Sequence, residues 1–146
     1  VPPEPAYRDY GRALVHYATV RRPNGVTRRL FVDPSALPML RAGVLPDRTL
    51  IAMEVFEGGD VPARVEMKRW KEGGWLYGSH DVADRLWSTG PDKVCETCHA
   101  KAGDRFEVFT FDSLVRFARD GTIDRFACEM ADREPCPPET YRRDSR

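Results

Sequence analysis

Glutamine is missing from this chain of 146 residues, asparagine occurs once, and lysine occurs four times against nineteen arginines. This bias is compatible with a thermostable protein from a hot environment and equally with a GC-rich genome. Net charge is also missing, because 23 basic residues balance 23 acidic ones. The composition offers neither a basic face nor an acidic tail, so we expect no nucleic-acid partner.

Long apolar runs are absent as well, and no stretch approaches the roughly 20 residues of a membrane-spanning helix. The sequence begins at Val1 rather than at methionine, and we therefore expect an exported protein whose secretion signal has been removed. A chain of this length can bury a real core as one domain. We predict a single domain over 1–146, with an N-terminal arm at 1–6 and a C-terminal extension at 121–146.

Cysteine is scarce, and two of the four cysteines lie in the run Cys95-Glu-Thr-Cys98-His99. A Cys-x-x-Cys-His pattern is typical of covalent haem c attachment. Two thiols three residues apart each add to one vinyl group of the haem, and the adjacent histidine becomes the proximal ligand of the iron. We predict one haem c per chain, attached at Cys95 and Cys98 and ligated by His99.

Three other chemistries compete for this motif. A zinc site would need a second pair of ligands that the sequence does not supply, and adjacent Cys98 and His99 do not easily share one tetrahedral ion. A thioredoxin-type redox pair belongs to a βαβ unit near a chain start, which the pattern does not indicate. A disulfide within the motif would close a small strained loop. Haem c is the interpretation that fits best.

The remaining cysteines, Cys128 and Cys136, lie close together in the C-terminal tail. If the haem occupies the first pair, these two can form a disulfide in an oxidising compartment. Such a bridge would stabilise the C-terminus by about 2–3 kcal/mol. The alternative is two free thiols in a reducing cell. Together with the haem motif, the expected disulfide indicates a periplasmic protein.

Alternating side chains and turn residues predict β-strands in the first half of the chain. The predicted strands are 12–20, 26–32, 49–56, 61–70 and 73–78. Pro23-Asn24-Gly25 predicts a turn that joins the first two strands into a hairpin. Five strands at this spacing favour a mainly antiparallel sheet over a four-helix bundle.

Helical signals are fewer and shorter than the strand signals. Asp33 and Pro34 predict the start of a short helix that ends at Gly43, and a second short helix over 92–100 would carry the haem motif. A third helix is predicted from Phe111 or Asp112 to about Gly121. We predict a mainly β (α+β) fold, with an antiparallel sheet packed on haem c and short helices that include the C-terminal haem-motif helix.

In order and spacing, these segments resemble the β-sheet haem c proteins called cytochrome c′-beta and cytochrome P-460. The resemblance is carried by Tyr7-Arg-Asp-Tyr10, Leu30-Phe-Val-Asp-Pro34, Arg41 to Val55, Met67-Lys68, Gly74-Trp-Leu-Tyr77, the haem motif and Val108-Phe-Thr110. It implies a homodimer in which each chain packs a five-coordinate haem against one sheet face. It also implies that His99 is the proximal ligand and that the distal pocket is open.

The resemblance directs attention to three residues on two strands. Hydroxylamine-oxidising members of the family carry a lysine that becomes attached to the porphyrin, and Met53 matches that position here. A thioether cannot form the amine cross-link. Those members also place a carboxylate in the distal pocket; Arg64 aligns with it, and Glu66 lies two residues further on the same strand face. Arg64 and Glu66 are therefore candidate distal residues, and the alternative is a pair of charges on a solvent face.

Each distal candidate has a second interpretation. A guanidinium such as that of Arg64 could hydrogen-bond a diatomic ligand or assist peroxide cleavage. Met53 is either a core residue or a sixth iron ligand, which would make an electron-transfer cytochrome. Phe31 and Phe56 are candidate apolar caps of the pocket, or simply core residues.

We therefore expect a periplasmic haem c protein that binds small gaseous ligands, nitric oxide first and carbon monoxide second. An apolar pocket would admit neutral diatomic molecules and disfavour charged ones. A peroxidase-like enzyme, a hydroxylamine- or nitric-oxide-converting enzyme and a methionine-ligated electron carrier are the alternatives. The redox partner cannot be inferred from the sequence.

Overall fold

The structure, a computed structural model, describes residues 14–71, 74–81, 86–90, 99–100, 109–130 and 136–144. Cys95 and Cys98, the predicted N-terminal arm and most of the predicted haem-motif helix lie outside these ranges. In chain order the elements are β1 (Val15–Arg21), β2 (Val26–Val32), α1 (Leu37–Leu40), β3 (Leu50–Glu57), β4 (Arg64–Lys71), β5 (Gly74–Asp81), β6 (Leu86–Gly90), α2 (Phe111–Asp120), β7 (Asp124–Ala127) and β8 (Arg142–Arg143).

The described strands form one sheet in the order β6-β5-β4-β3-β2-β1-β7-β8. Neighbours pair antiparallel throughout, except that β1 and β7 run parallel. The prediction of a mainly β fold with short helices is therefore confirmed for these residues. The two α-helices contain four and ten residues.

The predicted hairpin is confirmed, with Val15 opposite Val32 and Arg21 opposite Thr27. Its turn contains Asn24 and Gly25 with φ values of 62° and 74°, the left-handed conformation that these two residue types tolerate best. Strands β6, β7 and β8 were not predicted. They contain five, four and two residues, which is too short for a clear alternation.

Strand β1 departs from the predicted alternation because it contains a β-bulge. His16 lies opposite Phe31 and Ala18 lies opposite Leu30, so Tyr17 is an extra residue between two paired ones. In a regular strand His16 and Ala18 would share a face, but the inserted residue reverses the alternation and places them on opposite faces. As a result, Tyr17 and Ala18 both enter the main core, and both are fully buried.

The predicted helix after β2 is shorter and less regular than expected. Asp33 accepts a hydrogen bond from the backbone N–H of Ser35, at 3.0 Å, and caps a 3-10 turn over Pro34–Ala36. One turn of α-helix follows as α1, and the chain leaves it through Gly43, whose φ is 76°. The N-cap and the glycine were predicted, whereas the 3-10 geometry was not.

Helices α1 and α2 cover one face of the sheet, which we call the helix face. Its core contains Val32, Ile51 and Tyr77 from the sheet and Leu114 from α2. The other face, which we call the opposite face, has a smaller cluster of Leu14, Phe31, Ala52 and Val65. Because opposed residues in an antiparallel pair share a face, the strand register assigns each candidate site residue to one side of the sheet.

Candidate functional site

His99 is the one residue of the haem motif that the structure describes. It is half-buried, and its ring centroid lies 5.5 Å from the ring of Tyr77 and 5.5 Å from the ring of Phe109. Tyr77 is a buried residue of β5, and Phe109 lies in the turn that leads into α2. The imidazole is therefore in contact with two aromatic rings from separate parts of the chain.

Tyr77 belongs to the helix face of the sheet. It lies opposite Lys68, which in turn lies opposite Ile51, and Tyr77 and Ile51 are members of the same core cluster. His99 thus contacts the sheet on the side that also carries the helices. Sequence reasoning did not single out Tyr77 or Phe109 as site residues, although both occur in segments that carry the family resemblance.

Met53 and Glu66 lie on the same helix face, directly opposite each other on β3 and β4. Both are half-buried. In the register, Glu66 is a diagonal neighbour of Tyr77, because its own partner on β5 is Ser79. Diagonal neighbours in an antiparallel pair are about 7–8 Å apart at Cα. The structure therefore brings Met53 and Glu66 to the side of the sheet that His99 contacts.

Arg64 also lies on the helix face, opposite Val55 on β3. It is two residues farther along β4 from the position opposite Tyr77 than Glu66 is. Its guanidinium donates from Nε to Glu66 Oε1 at 3.1 Å and from Nη1 to Glu57 Oε1 at 3.3 Å. Two carboxylates therefore balance its positive charge. An arginine in this position holds the Glu66 carboxylate and presents little uncompensated charge to a ligand.

Phe31 and Phe56 lie on the opposite face. Phe31 is 5% exposed and lies opposite Ala52, while Phe56 lies opposite Thr27. The ring of Phe31 packs 5.3 Å from the ring of His16. The structure places both phenylalanines on the face away from His99, where Phe31 belongs to the opposite-face cluster. Their expected role as distal caps stays a prediction.

Cys128 and Cys136 form a disulfide in the structure, as the sequence predicted, with the sulfur atoms 1.99 Å apart. Both residues are buried, at 1% and 2% exposure, and they pack against Val20 of β1. The bridge therefore joins the C-terminal extension to the edge of the sheet that contains β7 and β8.

Within the described ranges, no three histidine, cysteine, aspartate or glutamate side chains come together as a metal-binding group. No helix among the same residues is long and apolar enough to cross a membrane. A scan against protein-family models and a search of the curated proteins give no match to this chain.

Proposed function

We propose that this chain is a haem c protein of the cytochrome c′-beta and cytochrome P-460 type that binds small gaseous ligands, nitric oxide first and carbon monoxide second. The observation that carries the proposal is the Cys95-Glu-Thr-Cys98-His99 motif together with the contact of His99 with Tyr77 and Phe109. An imidazole that packs between two aromatic rings next to the sheet is well situated to act as the proximal ligand of a haem.

Each residue of the motif has a defined task in this proposal. Cys95 and Cys98 hold the haem through thioethers, and His99 is the proximal ligand. When bound, the haem supplies an iron centre with one open position for a diatomic ligand. Tyr77 and Phe109 restrict the orientation of the His99 ring and shield it from water, since both rings lie 5.5 Å from it.

The arrangement around Arg64 favours gas binding over peroxidase chemistry. Peroxide cleavage needs preorganised positive charge that stabilises the developing anion. The Arg64 guanidinium is instead paired with Glu66 and Glu57 at 3.1 and 3.3 Å. Hydroxylamine oxidation in the resembled family uses a lysine that becomes attached to the porphyrin. Met53 stands at the matching position of this chain, and a thioether cannot form that attachment.

The proposal includes a periplasmic location and a homodimer. The location is supported by the Cys128–Cys136 disulfide, because such bridges persist in oxidising compartments. The homodimer follows from the family resemblance. Light scattering on the purified protein would measure twice the chain mass if the dimer forms.

The decisive experiment compares absorption spectra of both redox states with and without nitric oxide. We expect a covalently attached haem in wild-type protein and its loss in Cys95→Ser/Cys98→Ser. The ferrous spectrum should be five-coordinate and high-spin and should change on addition of nitric oxide or carbon monoxide.

Met53→Leu is the matched control for the sixth ligand. If Met53 is a core residue on the helix face, the leucine variant keeps the wild-type spectrum. A low-spin wild-type spectrum with a methionine charge-transfer band that disappears in Met53→Leu would overturn the proposal in favour of an electron carrier. Guaiacol oxidation that is lost in Arg64→Ala would favour a peroxidase.

A further inference from the structure

Tyr17 is a fully buried residue whose hydroxyl reaches the segment that contacts His99. Its oxygen lies 2.9 Å from Thr110 Oγ1, and the two residues are 93 positions apart in the chain. Thr110 is 6% exposed and directly follows Phe109, whose ring lies 5.5 Å from the His99 ring. A continuous series of contacts therefore leads from β1 to the proximal histidine.

The β-bulge in β1 gives Tyr17 its position. Tyr17 has no opposed residue on β2, because His16 and Ala18 take consecutive partners there. Bulges re-aim a side chain and are over-represented next to active sites. Here the bulge allows Tyr17 to enter the helix-face core although Ala18, the next residue, enters it as well.

Burial favours the hydrogen bond between the Tyr17 hydroxyl and Thr110 Oγ1. A buried hydroxyl that loses its hydrogen-bond partner is left with the full cost of its removal from water. Burial also raises the pKa of Tyr17 above its ordinary value of 10.0, so the phenol stays neutral at physiological pH. The Thr110 side chain makes no capping bond to the first turn of α2. Its hydroxyl is therefore committed to Tyr17 rather than to the helix.

We infer that Tyr17 is a positioning residue for His99, because it anchors Thr110 and thereby holds Phe109 against the imidazole. The inference rests on the proposed function and deepens it, since groups that orient a metal-ligating histidine tune the properties of the metal. Tyr17 itself does not contact the imidazole ring in this scheme; it acts through the turn at 109–110.

The test uses three variants of the haem-loaded protein in its ferrous, carbon-monoxide-bound and therefore diamagnetic state. Tyr17→Phe and Thr110→Val each remove one hydroxyl from the pair, whereas Thr110→Ser keeps it. We expect the first two to shift the His99 ring resonances and to lose the nuclear Overhauser contacts between His99 and Phe109. Thr110→Ser should keep the wild-type His99 resonances and the contacts between His99 and Phe109. The double variant Tyr17→Phe/Thr110→Val should change them no more than either single variant does.

Thr140→Val is the control for a general loss of stability. It removes a similar bond, from Thr140 Oγ1 to Pro137 O at 2.7 Å, next to the disulfide region of the chain. We expect it to leave the His99 resonances unchanged. An unchanged His99 spectrum in Tyr17→Phe, or equal shifts in Thr140→Val, would overturn the inference. If Tyr17→Phe does not fold, the contrast between Thr110→Val and Thr110→Ser decides it.

Failure of the proposed function has a different signature. If wild-type protein carries no covalent haem, the haem proposal is wrong. The contacts between His99 and Phe109 can then be measured in the haem-free protein with the same variants. Loss of these contacts in Tyr17→Phe would support the positioning role, and their persistence would contradict it.

Discussion

Asp124 is a buried charged residue whose ion-pair partner is partly exposed. The Asp124 side chain is fully buried, whereas that of Arg116, with which it forms an ion pair, is 38% exposed. Removal of Arg116 and removal of Asp124 should therefore have different costs. A buried carboxylate without its counter-charge is costly, while an exposed guanidinium can be solvated by water.

This asymmetry predicts unequal effects of the two neutralising substitutions. We expect Arg116→Met to lower the free energy of unfolding by about 3 kcal/mol and Asp124→Asn by about 1–2 kcal/mol, as measured by urea unfolding. Arg119→Met, on the same helix, removes only an exposed bond to Arg41 O at 3.0 Å and should cost less than about 1 kcal/mol. Equal losses for Arg116→Met and Asp124→Asn would contradict the argument.

His16 makes stability depend on pH from the opposite face of the sheet. Burial and the nearby Arg29 guanidinium lower the pKa of His16 below its ordinary value of 6.5. As the pH falls, His16 therefore becomes protonated near pH 6.5 in the unfolded chain and only at a lower pH in the folded chain. Folding stability falls as the pH drops through about 6.5, and the fall ends below the lowered pKa of the folded state.

His16→Gln should remove this part of the acid sensitivity. Unfolding free energies measured from about pH 8 to about pH 5 are expected to fall less in the variant than in the wild type. The other two histidines are present in both proteins, so their contributions cancel in the difference between the two curves. Parallel curves would show that His16 does not contribute.

At the scale of the elements, α2 ends where a glycine permits the chain to turn. Gly121 has a φ of 76°, and its N–H bonds to Phe117 O at 2.8 Å, which is the geometry of a left-handed helix cap. A side chain at Gly121 would meet no atom within 4 Å. The cost of replacing it therefore comes from the backbone conformation and not from crowding.

Gly121→Ala should lower the free energy of unfolding by about 1 kcal/mol, because an alanine disfavours the left-handed conformation. Gly59→Ala is a matched control, since a Cβ there also meets nothing within 4 Å and Gly59 lacks a positive φ. We expect the control to change stability by less than about 0.5 kcal/mol. Thermal and urea unfolding of both variants provide the comparison.

The elements that local pattern predicts well are those with clear end signals. The helix from Phe111 is confirmed in both start and end, and β2 coincides with its predicted bounds. Strand β7 was missed because it has four residues and pairs in parallel with β1, a partner more than a hundred residues away. Nothing in its own residues indicates that pairing.

At the scale of the whole molecule, the Cys128–Cys136 bridge closes a short loop next to β7 and β8. The loop spans eight positions, for which loop closure accounts for about 2–3 kcal/mol. Cys128→Ala/Cys136→Ala should lose that amount relative to the oxidised wild type in urea unfolding. Under reducing conditions the difference between the two proteins should largely vanish.

Thiol titration provides the independent control for this prediction. Denatured, unreduced wild-type protein should show no reactive thiol if the proposed haem is attached at Cys95 and Cys98, because the bridge accounts for Cys128 and Cys136. Two reactive thiols would mean that one of these pairs is free. Haem analysis of the same sample then identifies which pair it is.

The sequence by itself determined the local features: the haem-type motif, the pairing of Cys128 with Cys136, the hairpin turn and the caps at Asp33 and Gly121. These depend on residue types at short spacing, so no distant contact is needed to predict them. The haem assignment remains a proposal, and it follows from the same short spacing.

Only the tertiary structure decided which side chains meet. Side-chain alternation defines two faces of a strand, but it does not reveal which face the helices cover or where an inserted residue reverses the pattern. For that reason the sequence did not single out Tyr77 and Phe109 beside His99, and it left the ion pairs of Arg64 open. The pairing across β2 to β5 places Tyr77 and Arg64 on the helix face, and the bulge in β1 places Tyr17 there. Both features depend on the packing of segments that are distant in the sequence.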